Sequence, residues 1–134
     1  MLTSMATTFQ PINLSSELAA VTEHWSPRVV AALNGQLLKV AKLKGEFVWH
    51  QHDGEDEMFL VLKGKLRIRF EDGEAALSEG ECFVVPKGVR HNPVAEDECW
   101  IALFEPASTA HTGEVVTERT RSLAEQAAHL PQPG

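Results

Sequence analysis

The chain has little positive charge: 12 lysines and arginines stand against 19 aspartates and glutamates, a formal net charge of −7 over 134 residues. No basic cluster is present that could neutralise a phosphate backbone or coat an anionic lipid surface, so neither nucleic acid nor membrane is an expected partner. Long apolar runs are also missing. No segment approaches the ~20 residues needed to cross a bilayer, and no charged start followed by an apolar stretch opens the chain, so a cytoplasmic protein is expected. Cysteine is scarce, with only Cys82 and Cys99. They form no CxxC pair and neither neighbours a histidine, which leaves a redox or nucleophilic role with little support. Both fall in expected strands, where buried free thiols are the expectation; a disulfide between them stays open.

What is present fits one small domain, residues 1–134, large enough to close a single core without disulfides. Residues 1–12 show no clear period. Leu14, Leu18 and Val21 recur at helical spacing, so a short helix is expected within 13–26, ending before Pro27 and capping one end of the fold. From about residue 28 to 105 the pattern turns to short strands. Val29 to Leu33 and Gln36 to Leu43 are joined by Asn34 and Gly35, the dipeptide that best tolerates the positive φ angles of a two-residue hairpin turn. Lys44 and Gly45 read as the next turn and Glu46 to His52 as the strand after it, closed by Asp53 and Gly54. Met58 to Leu62 is apolar on both faces, as in a strand covered on both sides, whereas Lys65 to Phe70 alternates. Glu74 to Leu77, Cys82 to Val85, Val89 to Pro93 and Glu98 to Phe104 complete a series spaced as in a sandwich or barrel. Thr117 to Leu130, within a tail of 114–130, is rich in helix formers before Pro131.

Within this frame two stretches concentrate metal-ligand residues. In Trp49 to Gly64 (WHQHDGEDEMFLVLKG), His50 and His52 lie two apart and would share one strand face, with Glu57 following. In Gly80 to His91 (GECFVVPKGVRH), a glycine- and proline-punctuated strand pair ends at His91. A His-x-His pair alone, or one glutamate in an acidic turn, is an ordinary surface feature. Three imidazoles and a carboxylate together suit borderline divalent metals and leave coordination positions open for a ligand.

The pattern HxHxxxxE, a glycine six residues on, and then GxxxxxPxGxxH resembles the two motifs of the cupin superfamily over roughly residues 36 to 105, with Gly64, Gly80, Pro86 and Gly88 in place. Two peripheral positions depart: Gly45 lies one residue closer to His50 than usual, and Ala95 stands where an asparagine is common, with Asn92 beside His91 instead. The resemblance implies an all-β cupin double-stranded β-helix (jelly-roll) barrel with short flanking helices. It also implies a metal held by His50, His52, Glu57 and His91, and a homodimer. The metal is one divalent transition ion among manganese, iron, nickel, zinc, cobalt and copper.

By parity with the ligands, Val48, Phe59 and Val61 are expected to line the pocket, although plain core packing is the alternative for each. No second acid or base stands out among the walls. His24, His111 and His129 lie in flanking segments; His111, close behind the last strand, is the best placed of them to reach the barrel mouth. Trp49 and Trp100 read as outer-face residues that would favour a dimer if uncovered. A bound ion in such a barrel could polarise a carbonyl, stabilise an enolate, lower the pKa of a bound water or hold dioxygen. The expected function is therefore a small metal-dependent enzyme, a dioxygenase, isomerase or lyase, acting on a small oxygenated organic molecule. The alternative is a non-catalytic module that binds a small molecule or the metal itself.

Overall fold

The computed structural model describes residues 9–113 and 115–130. After a helix α1 (Leu14–Ala19), capped by the Asn13 side chain accepting from the Ser16 N–H at 2.9 Å, the chain is built from strands. They are β1 (Arg28–Leu33), β2 (Gln36–Glu46), β3 (Glu57–Lys63), β4 (Leu66–Phe70), β5 (Gly73–Leu77), β6 (Cys82–Val85) and β7 (His91–Pro106), followed by a single helical turn, α2 (Leu123–Gln126). The strands pair antiparallel in the order β1-β2-β7-β3-β6, with β4 joining β7 to β5. This is the all-β cupin fold expected, although the hydrogen-bonded path has free ends rather than closing into a complete barrel.

The long strand β7 organises the molecule. Its first residues, His91 to Val94, pair with β4, while Cys99 to Pro106 lie between β2 and β3. Directly opposed residues of an antiparallel pair share a face, so the registers Lys39↔Leu103, Ala41↔Ile101 and Phe59↔Leu103 put these side chains on one inner surface. With Val61, Leu66, Ile68, Leu77, Val85 and Cys99 they make the main core. The opposite face of β2 presents Val40 to Leu18, Val21 and Val30, so α1 closes a second, smaller core from outside. There the apolar stripe read from the sequence lies against a sheet face, and Leu18 and Val40 are fully buried.

Several elements depart from their sequence-based boundaries. The β1–β2 hairpin forms as expected, Asn34 and Gly35 both taking positive φ (50° and 77°). Lys44 and Gly45, however, do not end a strand. They lie within β2, where a register shift between Leu43 and Gly45 absorbs the positive φ of Gly45. Glu46 to His52 is accordingly not a strand of its own: β2 stops at Glu46, and the histidine pair sits on irregular chain held by one bridge, His50↔His91. Val89 to Pro93 and Glu98 to Phe104 are not two strands, because β7 runs unbroken through the exposed Glu96, Asp97 and Glu98. The tail forms only the four residues of α2 rather than a helix from Thr117 to Leu130. A segment this short is marginal as an isolated helix, and a Ser122–Glu125 capping box stabilises a single turn.

Both cysteines are free, but only Cys99 is buried; Cys82 is exposed on β6, contrary to expectation. Burial, reinforced by the charge of Glu79, pushes the Cys99 thiol up to about 11, so it behaves as core. Trp49 and Trp100 lie half-buried on the outside, each flanked by two cations of the same chain: Arg69 and Arg90 at Trp49, Lys42 and Lys63 at Trp100. Among the described residues no helix is long and apolar enough to cross a membrane.

Candidate metal centre

The fold brings together all four ligand candidates. His50 and His52 come from the segment after β2, Glu57 opens β3 and His91 opens β7. One potential donor atom of each lies within 4.8 Å of the others, and all four residues are buried. The bridge is decisive for this approach: His50 N–H donates to the His91 carbonyl at 3.0 Å and His91 N–H returns the bond at 2.8 Å. This brings the two rings to 4.3 Å between centroids.

Hydrogen bonds fix how two of the rings present themselves. His50 Nδ1 lies 2.9 Å from the Val48 carbonyl and His91 Nδ1 lies 3.0 Å from the Val89 carbonyl. A carbonyl only accepts, so each ring carries its proton on Nδ1 and leaves the Nε2 lone pair free. The Nε2 atoms of His52 and His91 each stand 3.5 Å from Glu57 Oε1. His91 Nε2, both nitrogens of His52 and Glu57 Oε1 are buried with no hydrogen-bond partner. Buried polar atoms are nearly always partnered, since each orphan costs about 1–3 kcal/mol. One orphan each from His52, Glu57 and His91, with the free Nε2 lone pair of His50, makes a donor set within one cluster.

The electrostatics agree with that reading. Burial, then the neighbouring His91, lowers the His50 pKa to about 4, so the ring is neutral at pH 7 as a ligand must be. Burial alone would raise Glu57, but contacts with His52 and His91 outweigh it and hold the carboxyl well below its ordinary value.

Next to Glu57 lies a buried acid and base pair that the sequence reading did not single out. Lys39 Nζ meets Glu105 Oε1 at 2.6 Å, and both residues are almost completely buried. Burial and the adjacent Glu57 charge push Glu105 well above the ordinary carboxyl range, with Lys39 only partly offsetting them. Two neighbouring carboxyls cannot both ionise cheaply, so Glu105 depends on the Lys39 ammonium to carry charge beside Glu57.

The apolar surround is tight. A cavity of about 30 Å³, room for little more than a water or two, is lined by Trp25, Phe47, Phe59 and Leu103 together with His50, Glu57 and His111. Of the three expected walls, Phe59 lines it. Val61 is fully buried deeper in the core, and Val48 packs half-buried at the core's edge. Trp25 was not foreseen. It stacks on Phe47 at 4.6 Å and 11° and donates through Nε1 to the Lys44 carbonyl at 2.8 Å, although its φ of 60° places a bulky residue in the left-handed region. His24 and His129 stay outside the site, bonded to Glu98 and to the Val29 carbonyl.

Known proteins share this fold. The Cupin domain family model matches residues 37–100. A cupin-2 domain containing protein from Shewanella frigidimarina is 46% identical, covering 71% of this chain and 93% of its own, with a TM-score of 0.70. The chain belongs to the cupin superfamily. This cupin also resembles NMB1881 from Neisseria meningitidis, at 35% identity over 73% of this chain and all of that one, with a TM-score of 0.67. Bacillus subtilis YdbB, an uncharacterised protein, is 35% identical over 59% of this chain and 71% of its own.

Proposed function

We propose that His50, His52, Glu57 and His91 hold one divalent transition metal and that this cupin is a small metal-dependent enzyme acting on a small oxygenated organic molecule, as a dioxygenase, isomerase or lyase. The observation that carries the reading is the approach of one potential donor atom from each of four buried side chains to within 4.8 Å of the others, with atoms of His52, Glu57 and His91 unpartnered. A bound ion would supply Lewis acidity, or redox chemistry if it is iron, manganese or copper. The chain supplies the rest. The Val48 and Val89 carbonyls orient two imidazoles, contacts from His52 and His91 keep Glu57 ionised, and the buried Lys39–Glu105 pair lies beside it. Phe47, Phe59 and Leu103 exclude water and so strengthen every charge interaction in the pocket.

Elemental analysis of protein purified without added metal, and again after reconstitution, tests the site. About one equivalent per chain is expected, with weaker retention in His91→Ala; no metal before or after reconstitution would remove the site. Oxygen uptake with enediols and diketones then tests the activity. The cavity's small size favours a second reading, a non-catalytic module for a small molecule or the metal itself. Metal-bound protein with no turnover of any such compound would support that reading.

A further inference from the structure

His111 lies beyond the last strand, on the chain that returns over the mouth of the pocket, and it shares the cavity with His50 and Glu57. Its ring packs 5.3 Å from Phe47, between centroids. The Arg121 backbone N–H donates to its Nδ1 at 2.9 Å. A nitrogen that accepts from an amide bears no proton, so the neutral ring carries its hydrogen on Nε2. No partner for that Nε2 appears among the described residues. The loop is held at two places. Gly113 (φ 61°) sits so close to the Gln51 carbonyl that an added Cβ would collide with its oxygen, and Thr112, wholly buried, bonds the Val115 carbonyl and Thr120. From the same tail, the Arg119 guanidinium covers the Trp25 ring at 5.7 Å. The tail therefore fastens an N–H-donating imidazole beside the ligand cluster, in a cavity whose water-sized positions match two neighbouring oxygens of one small molecule.

We infer that His111 is a ligand-orienting residue: its Nε2–H donates to an oxygen of a compact 2-hydroxy or 2-oxo carboxylate, or a similar vicinal oxygen compound, whose other oxygen reaches the metal. The inference rests on the metal reading of His50, His52, Glu57 and His91. Specificity follows from the geometry. A molecule with one donor oxygen satisfies the metal and leaves His111 Nε2–H buried without an acceptor, whereas two adjacent oxygens satisfy both. Burial, and next the positive Lys39, lower the His111 pKa to about 4, which keeps the ring a neutral donor through the physiological range.

The test uses full-length protein reconstituted with cobalt(II) and titrated with glycolate, followed by the cobalt absorption bands, in wild type, His111→Phe and His111→Gln. Cobalt stoichiometry is measured separately in each. Full cobalt occupancy in all three is expected, with glycolate affinity falling about 10- to 100-fold in His111→Phe, the range for losing one hydrogen bond to a charged acceptor. His111→Gln, which keeps an N–H donor, should retain part of the affinity, and it decides the matter if His111→Phe fails to fold. Glycolate affinity unchanged in the variants that bind cobalt would reduce His111 to packing and overturn the inference. Cobalt binding without any glycolate response in wild type would overturn it too, while leaving the metal reading intact. No cobalt binding in wild type would remove both.

Discussion

The two ends of the inner sheet face invite comparison. At one end Val61, Leu66, Ile68, Leu77 and Cys99 pack together, each 4% exposed or less and none carrying a polar side-chain oxygen or nitrogen. Four residues along β3 and six along β7, the other end holds Glu57, Lys39 and Glu105 against His50, His52 and His91, equally buried but with several atoms unpartnered. Glu57 and Val61 are four residues apart on β3, and Glu105 and Cys99 six apart on β7. The first end releases free energy as water leaves it; the second consumes free energy to hold charged and polar groups dry. Stability and function are thus divided along single strands, and the apolar end is what allows the polar end to exist.

Variants at each end break or sharpen this contrast. The largest expected effect is at the buried ion pair. Lys39→Met strands Glu105 and should cost about 3–5 kcal/mol in urea unfolding, whereas the double variant Lys39→Met/Glu105→Leu should recover most of that loss. At the apolar end, Ile68→Ala leaves a cavity and should cost about 2–5 kcal/mol, equally with and without metal, with metal stoichiometry unchanged.

Acid comes next. His50 and His111 have folded pKa values near 4 against about 6.5 unfolded. Between those values the unfolded chain binds more protons than the native one. Their contribution is therefore whole above about pH 6.5 and is lost as pH falls toward 4. Metal-free protein should melt several degrees lower at pH 5 than at pH 7, by calorimetry, with His111→Phe reducing the slope. The smallest effect is a near-cancellation. His52→Leu removes two unpartnered nitrogens but also a contact that favours the Glu57 carboxylate, so the metal-free protein should stay within about 1 kcal/mol of wild type, while any melting shift on adding metal shrinks.

The apolar end and the ligand quartet were both legible from sequence, because each rests on spacing. Parity put Glu57, Phe59 and Val61 on one face, and the glycines and Pro86 framed His91. The polar neighbours of Glu57 were not legible. In QLLKVAKLK each face of β2 shows apolar residues and a lysine, so only the register against β7 reveals that Lys39 points inward and Lys42 outward. Glu105 closes a strand beside Pro106, where a solvated end is the ordinary reading. The segment around His50 is irregular rather than a strand, since its backbone bonds to Pro93, His91 and Gly88, long-range pairings that no local pattern encodes. Trp25 and His111 come from the flanks of the barrel, and only the folded chain brings them to the cavity. Cys82 looked buried from its strand, but β6 is the end of the sheet path and leaves it in water.

The central claim is that the clustered donors of His50, His52, Glu57 and His91 are one cation's coordination sphere. X-ray absorption at the metal edge of cobalt- or zinc-reconstituted protein reads that sphere directly. The expected spectrum shows about three imidazole nitrogens with oxygen completing the shell at about 2.0–2.2 Å, and one imidazole fewer in His91→Ala. A shell without imidazole scattering, or one that His91→Ala leaves unchanged, would contradict the account.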